Sequence, residues 1–131
     1  MTRPSKNAPC PCGSGRKAKG CCLRLLEGTP APTPESLMRS RFVAYAAGDA
    51  AYILRTTHPD SPHLESDLAA WTASILQFSR TEFRALEILE ASGSTVSFRA
   101  TLFRDGVDVS FTERSRFAQV AGAWMYLDGE A

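Results

Sequence analysis

The sequence predicts an α+β fold that follows a short cysteine-rich segment. Apolar residues recur at helical spacing from Leu37 to Phe78, whereas apolar and polar residues alternate from Thr81 onward, as they do in half-buried strands. Turn signals that contain glycine separate the alternating runs. Helices that precede antiparallel strands pack as a layer on one face of the sheet. We therefore expect about three helices on an antiparallel sheet of about four strands.

The cysteine-rich segment contains all four cysteines of the chain. A C-x-C pair and an adjacent Cys-Cys pair, with eight residues between them, can supply four thiolates at the corners of a tetrahedron around Zn²⁺. The glycines of the loop allow tight turns that point N–H groups at the sulfurs. Disulfides, free thiols and an iron–sulfur cluster are the alternatives, but the short loop and the spacing favour one structural zinc ion. The ligands of that site would be Cys10, Cys12, Cys21 and Cys22.

The stretch from Cys10 to Cys22, with its Gly-Ser-Gly and its basic run, resembles the SEC-C motif found at the C-terminus of the SecA translocation ATPase. The resemblance implies the same four ligands, Cys10, Cys12, Cys21 and Cys22. It covers about the first sixth of the chain.

Size and composition indicate one ordinary domain with a small appendage. The chain has 131 residues, of which 44% are hydrophobic and 22% are charged, and this balance is typical of soluble globular proteins. No stretch is apolar for long enough to span a bilayer, and the first residues lack the apolar core of a secretory signal. We expect a cytoplasmic protein without membrane insertion.

Charge is distributed unevenly along the chain. Residues 1–28 contain six basic residues and one acid, a net charge of +5, whereas the remainder contains nine arginines and thirteen acids, a net charge of −4. A basic surface favours acidic partners, and the alternative is that these cations only solvate a small segment. The pattern predicts contact with a protein, ribosome or RNA partner.

Domain boundaries follow from turn and proline signals. Residues 23–27 have the composition of a helical turn that ends at Gly28. Three prolines then fall between Thr29 and Pro34, and they make a stiff spacer. We divide the chain into a zinc knuckle at 1–28, a linker at 29–34 and a domain at 35–131.

Three helices are predicted in the domain. The first, at 35–47, begins with a Thr33 cap and Pro34, and places Met38, Phe42 and Tyr45 on one face with Leu37 and Arg41 at its margin. Gly48 and Asp49 separate it from a second helix at 50–56. The third helix, at 64–78, uses an apolar face of Leu68, Trp71, Ile75 and Phe78.

Four strands are predicted after the helices, at 83–90, 94–104, 107–117 and 123–127. The turns between them contain Gly93, Gly106 and Gly122, and Asp105-Gly106 is a strong hairpin signal. In the third strand, the alternation places Glu113 on the apolar side.

Four further segments resemble hallmark segments of YchJ-like bacterial proteins: Met38-Arg39-Ser40-Arg41-Phe42, Thr57-His58-Pro59, Glu113-Arg114-Ser115-Arg116-Phe117 and Trp124-Met125-Tyr126-Leu127-Asp128-Gly129. Together with the SEC-C motif, this resemblance covers nearly the whole chain. It implies an NTF2-like domain, in which helices wrap a curved sheet into a cone, behind an N-terminal SEC-C knuckle.

Such a cone has an apolar pocket, and Glu113 is the main polar candidate in it. A buried carboxylate requires a cation, a hydrogen-bond donor or a raised pKa. In a functional interpretation Glu113 is a general base or a ligand anchor, His58 carries a proton, and Arg41 is a partner. Tyr45, Trp71 and Trp124 then form the walls. In a structural interpretation, Glu113 forms a buried ion pair with Arg41 or Arg39.

The sequence thus predicts a zinc-binding adapter module that docks on a protein, ribosome or RNA partner through its knuckle. The alternative is a domain that binds a small molecule, or an acid–base enzyme of the isomerase or dehydratase kind that uses Glu113 and His58. That alternative depends on fold analogy. The sequence shows no serine or cysteine nucleophile constellation and no phosphate-binding glycine loop.

Overall fold

The computed structural model describes residues 3–131, so Met1 and Thr2 of the predicted knuckle lie outside the described residues. A 3-10 turn at Ala18–Gly20 precedes four helices and five strands. They are α1 (Cys22–Leu26), α2 (Pro34–Ala47), α3 (Ala50–Arg55), α4 (Leu68–Ser79), β1 (Glu82–Ser92), β2 (Thr95–Arg104), β3 (Val107–Asp108), β4 (Phe111–Val120) and β5 (Ala123–Glu130). The predicted α+β class is confirmed.

The sheet is antiparallel throughout, in the order β1-β2-β4-β5, and the short β3 pairs with β2. Two hairpin turns have positive φ at both of their central residues. The φ values are 51° and 79° at Asp105 and Gly106, and 51° and 83° at Ala121 and Gly122. Two-residue turns with positive φ at both positions match the natural twist of a hairpin. These turns fix the register that brings β2, β4 and β5 side by side.

One predicted strand is interrupted. Residues 107–117 divide into β3 and β4, because Ser110 leaves the ladder. Its hydroxyl accepts the amide of Leu102 at 3.0 Å, and its own amide donates to the Asp108 carboxylate at 2.9 Å. Val107 is therefore exposed, while Glu113 keeps the predicted inward side and Phe117 is buried.

The helix boundaries follow capping chemistry. Helix α2 begins at Pro34 with a capping box, in which the Thr33 and Ser36 side chains each accept the other residue's backbone amide. Helix α4 begins at Leu68, not at the predicted Leu64, because Asp67 caps it by accepting the amide of Ala70 at 3.0 Å. Leu68 is exposed, which corrects its predicted place on the buried face.

The knuckle and the domain share one apolar core. Leu25 and Leu26 are 4% and 1% exposed and belong to the same buried cluster as Leu37 and Val43 of α2. Ala31 of the linker is buried as well. The linker therefore packs against the domain, and the knuckle is not held apart from it.

Across residues 3–131, no helix is long and apolar enough to cross a membrane.

Candidate metal centre and ligand cavity

The four cysteines converge on one buried point. All four are free thiols, each is buried, and their sulfur atoms lie within 4.8 Å of one another. The Sγ atoms of Cys12 and Cys21 are 3.6 Å apart, and those of Cys21 and Cys22 are 3.9 Å apart. A tetrahedral zinc ion with Zn–S bonds of about 2.3 Å requires sulfur atoms about 3.8 Å apart. The cluster can hold a metal ion, and its spacing fits zinc.

Local hydrogen bonds shape the knuckle around these sulfurs. The Cys10 amide donates to the Arg16 carbonyl at 2.8 Å, and the Gly13 amide donates to the Cys10 carbonyl at 3.1 Å, which folds the loop back on itself. The 3-10 turn then carries the chain to Cys21, whose amide donates to the Ala18 carbonyl at 3.0 Å. The two cysteine pairs are thereby brought together by residues that are close in sequence.

Backbone amides contact the sulfurs as expected, since those of Cys12 and Cys22 bond to Cys10 and that of Ser14 bonds to Cys12, but the glycine amides do not. The Gly13 and Gly20 amides donate to carbonyl oxygens, because each closes a tight turn, and they do not contact the sulfurs. The Ser14 hydroxyl lies 3.2 Å from the Cys21 sulfur instead, and Nη2 of Arg16 lies 4.0 Å from it. A hydroxyl and a cation stabilise a thiolate ligand at this position.

The crowded thiols change one another's acidity. The hydrogen bond between Cys10 and Cys12 raises the pKa of Cys10 to about 11 and lowers the pKa of Cys12, which also accepts a hydrogen bond from Cys22. Cys12 is therefore the more acidic thiol of this hydrogen-bonded pair. A metal ion would take the place of the remaining thiol protons.

A second candidate site is a cavity of about 390 Å³ between the helices and the sheet. Helices α2 and α4 form one wall, and β1, β2, β4 and β5 form the other. The lining is rich in aromatic residues. Its rings include Phe42, Tyr45, Trp71, Phe78, Phe83 and Phe98.

Arg41 is the buried cation of this cavity. The residue is 5% exposed, and its Nη1 donates to the Ile53 carbonyl at 3.2 Å and to the Thr56 and Thr57 hydroxyls at 2.8 and 3.3 Å. Its guanidinium carbon lies 4.6 Å from the centre of the Tyr126 ring. Loss of hydration on burial lowers the pKa of Arg41. Helix α2 thus presents a fixed guanidinium to the cavity.

Glu113 faces the same cavity from β4. Its Oε2 accepts the Ser115 hydroxyl at 2.7 Å, and its carboxylate lies over Gly129, where any side chain would collide with it. The ion pairs of residues 3–131 include neither Glu113–Arg41 nor Glu113–Arg39, so the predicted structural ion pair is not formed. Arg39 binds Glu35 at 3.0 Å and the Cys12 carbonyl at 2.7 Å instead.

Two of the sequence candidates lie elsewhere. His58 does not line the cavity, because its Nδ1 accepts the Asp60 amide at 3.0 Å and its own amide donates to the Tyr126 carbonyl at 2.8 Å. Trp124 lies beside the β4–β5 turn, opposite Gln119, and packs against the core outside the cavity. Tyr45 and Trp71 do line it.

The structure adds Tyr126 and His63 to the lining, with ring centres 6.0 Å apart. Sequence reasoning missed both. Tyr126 could have been predicted from strand alternation, because it lies two residues after Trp124 in strand β5 and so shares a face with it. His63 lies in the loop before α4, where no periodicity indicates a direction.

Comparison with known proteins assigns the family. The family model described as "YchJ, middle NTF2-like domain" matches residues 33–129, and the SEC-C motif matches residues 7–24. The chain belongs to the YchJ-like family. Both resemblances found in the sequence are confirmed, and the NTF2-like assignment places the cavity inside the cone of that domain.

Similar chains occur in several bacteria. A UPF0225 protein of Deinococcus radiodurans is 45% identical over 122 residues, which are 92% of this chain and 87% of the relative. A UPF0225 protein of Streptomyces coelicolor is 46% identical over 133 residues, which are 93% of this chain and 94% of the relative. The similarity therefore spans the knuckle and the domain together.

Two solved structures resemble this YchJ-like chain. The solution structure of a SEC-C motif containing protein from Rhodopseudomonas palustris has a TM-score of 0.82 and 37% identity, and the match covers 95% of this chain and 98% of the other. A crystal structure of a SEC-C motif containing protein from Psychrobacter arcticus has a TM-score of 0.66, covers 98% of this chain and 81% of the other, and shares 22% identity, so it supports the fold alone.

Proposed function

We propose that this YchJ-like chain is a binding protein whose cone holds a small organic molecule and whose cysteine cluster holds one structural zinc ion. The cavity carries the proposal. Its volume of about 390 Å³ lies within the range of small-ligand sites, roughly 300–1,000 Å³. Like such sites, it combines aromatic walls with a few converging polar groups, chiefly Arg41 and Glu113.

The proposed zinc ion is structural because all four ligands come from the chain. Each cysteine is buried, and four thiolates complete the tetrahedron, so no coordination position is left for a substrate. Metal analysis of freshly purified reduced protein should find one zinc ion per chain. A preparation that is folded and contains no zinc would refute this assignment.

Binding is favoured over acid–base catalysis by the position of His58. The isomerase-like or dehydratase-like alternative needs both Glu113 and His58 within hydrogen-bond reach of one substrate. His58 lies outside the cavity, and its Nδ1 is already a hydrogen-bond acceptor. Of the proposed acid–base pair, only Glu113 lines the cavity, whereas the whole lining serves binding.

Filling the cavity tests this proposal. Ala100 is 2% exposed and lines the cavity, so Ala100→Phe would place a ring in the space where a ligand would lie. We expect wild type to bind an apolar fluorescent dye with a saturable signal, and Ala100→Phe to lose most of that binding. Ala85→Phe adds the same ring at an exposed position of β1 and should bind as wild type does. Equal binding by all three proteins would refute the cavity as the binding site.

Docking on an acidic partner is a second candidate function. Lys6, Lys17, Lys19 and Arg24 are exposed, and none of them forms an ion pair within residues 3–131. Such a group of solvated cations attracts RNA or an acidic protein surface.

The test of docking is a charge reversal with a matched control. Lys17→Glu with Lys19→Glu should weaken binding to a labelled single-stranded RNA, and the affinity of wild type should fall as salt rises. Arg114→Glu changes an exposed charge on β4, away from the knuckle, and should have little effect. If wild type does not bind RNA at low salt, an acidic protein is the remaining partner class. A pull-down that compares the same variants then tests it.

A further inference from the structure

Two opposite charges face the cavity without pairing with each other. Nη1 of Arg41 donates the hydrogen bonds that connect α2 to α3 and to the residues just after it. Its Nε and Nη2 donate to no protein atom of residues 3–131, yet no buried polar side-chain atom of those residues lacks a partner. Each of these two nitrogens therefore keeps some accessible surface, and Arg41 is one of the residues that line the cavity.

Glu113 is arranged in a similar way. Its Oε2 accepts the Ser115 hydroxyl, while Oε1 accepts no hydrogen bond from residues 3–131. Gly129 gives the carboxylate room, since the nearest carboxylate oxygen would lie 2.3 Å from any Cβ at that position. One oxygen of Glu113 is thus held by the protein, and the other is available to a ligand.

The pair of charges limits what the cavity can bind. Glu65 also lines the cavity, but it is exposed, so solvent screens its charge. The charges of the less exposed Arg41 and Glu113 cancel, so a ligand with a net charge would add an uncompensated charge to an apolar space. A purely apolar ligand would leave both groups without partners. A ligand that carries one anion and one cation satisfies both groups and keeps the net charge at zero.

We propose that the cavity binds a small zwitterion with an apolar body, such as an amino acid with an aromatic side chain. Its carboxylate accepts hydrogen bonds from Nε and Nη2 of Arg41, and its ammonium donates to Oε1 of Glu113. This inference rests on the proposed function, since it names the chemical class of the molecule in the same cavity.

The rest of the lining suits such a ligand. The Tyr126 ring packs against the Arg41 guanidinium and holds its plane in place, so that its fork of donors is ready for a planar carboxylate. Trp71, Phe78 and Phe98 supply apolar surface for the body of the ligand. The two charges give orientation, and the rings give most of the buried area.

The experiment compares three probes by calorimetry on the full zinc-loaded protein. Phenylalanine carries both charges, phenylpropionate lacks the ammonium and phenethylamine lacks the carboxylate. Both deletions make the ligand smaller, so neither can clash. We expect phenylalanine to bind at least about tenfold more tightly than either single-charge probe, since each charged contact contributes over 1 kcal/mol.

Variants assign each charge to its partner. Glu113→Gln should abolish the preference for phenylalanine over phenylpropionate, and Arg41→Met should abolish the preference over phenethylamine. Glu113→Gln keeps the shape of the side chain, so it tests the proposal even if Arg41→Met fails to fold. Glu90→Gln removes an exposed carboxylate of β1 and should leave all three affinities unchanged.

The outcomes distinguish a failure of the zwitterion inference from a failure of the proposed binding function. If phenylpropionate or phenethylamine binds as tightly as phenylalanine, the zwitterion is refuted and the binding cavity stands. If the apolar dye enters wild type but none of the three probes binds, the ligand class is again wrong. If the dye does not enter either, both the ligand class and the proposed function fail.

Discussion

The cysteine cluster and the cavity are assembled in opposite ways. Cys10 and Cys22, the outermost of the four cysteines, lie within one short loop and one turn of helix. Arg41, Glu113 and Tyr126 come from α2, β4 and β5, and only the packed domain brings them together. The metal site is therefore a property of a peptide segment, whereas the cavity is a property of the fold.

The two regions are nevertheless physically joined. Nη1 of Arg39 donates to the Cys12 carbonyl at 2.7 Å, and Nη2 of Arg55 donates to the Leu26 carbonyl at 3.0 Å. Arg39 lies on α2, two residues before Arg41. The cysteine knuckle thus supports α2, the helix that positions the Arg41 guanidinium in the cavity.

Loss of the metal should have the largest effect on this arrangement. Cys12→Ser removes a ligand that is 0% exposed, and the knuckle contributes Leu25 and Leu26 to the shared core. We expect a loss of roughly 3 kcal/mol or more in the free energy of unfolding. Both tryptophans, Trp71 and Trp124, lie outside the knuckle, so their fluorescence in denaturant reports on the domain.

Ser14→Ala is the control for this variant, because it removes only the hydroxyl beside the Cys21 sulfur and should cost about 1 kcal/mol. An unchanged tryptophan transition in Cys12→Ser would mean that the domain folds independently of the knuckle, and the proposed coupling would be wrong.

Removal of the buried guanidinium should rank second. Arg41→Met leaves the Ile53 carbonyl and the Thr56 and Thr57 hydroxyls without a charged donor, and we expect a loss of about 2 kcal/mol in chemical denaturation. Arg114→Met, at an exposed position, should change stability by less than about 0.5 kcal/mol. If both variants were equally stable, Arg41 would have no structural role.

The contact between the two regions should have a moderate effect. Arg39→Met removes the charged hydrogen bond to the Cys12 carbonyl and should lower stability by about 1 kcal/mol. It should also speed zinc transfer to a chromogenic chelator several-fold. Arg80→Met, an exposed arginine after α4, is the control. An identical transfer rate in both variants would show that Arg39 does not stabilise the metal site.

The smallest effect concerns an exposed pair on the sheet. Hydrogen bonds from Arg116 at 2.6 and 2.8 Å hold the pKa of Asp128 below its usual range. The pair therefore stabilises the fold above the unfolded pKa of Asp128 and loses that effect as pH falls through the folded pKa. Arg116→Gln should return the pKa to its ordinary range in an NMR titration. An unchanged titration would mean that Arg116 does not cause the lowered pKa of Asp128.

The sequence predicted much of the fold because local signals agreed with tertiary structure. The Thr33 and Pro34 start of α2, the stop at Gly48 and the Asp105-Gly106 hairpin each depend on backbone chemistry within a few residues. The α4 boundary was misplaced because the Asp67 cap competes with weaker signals around Leu64. The division at Ser110 depends on a bond to Leu102, which periodicity does not show.

The candidate site residues were predicted less consistently than the fold. The cysteine cluster could be assigned from spacing alone, whereas Arg41 was placed at the margin of its helix and is buried against α3 and β5, where it lines the cavity. The expected ion pair of Glu113 with Arg41 is not formed, because Nη1 of Arg41 donates to residues at the end of α3, while Oε2 of Glu113 accepts the Ser115 hydroxyl. Register shifts in β1 and β4 also change which residues face the core.

One NMR titration tests the central claim, that Arg41 and Glu113 serve a ligand in the cavity. The Nε–H signal of a buried, fixed arginine can be followed while phenylalanine is added to zinc-loaded protein. The account predicts a saturable shift of the Arg41 Nε–H and of the Tyr126 ring, with the amides of Cys10 and Cys21 unchanged. Shifts confined to the exposed cations of the knuckle, or no saturable shift at Arg41, would contradict it.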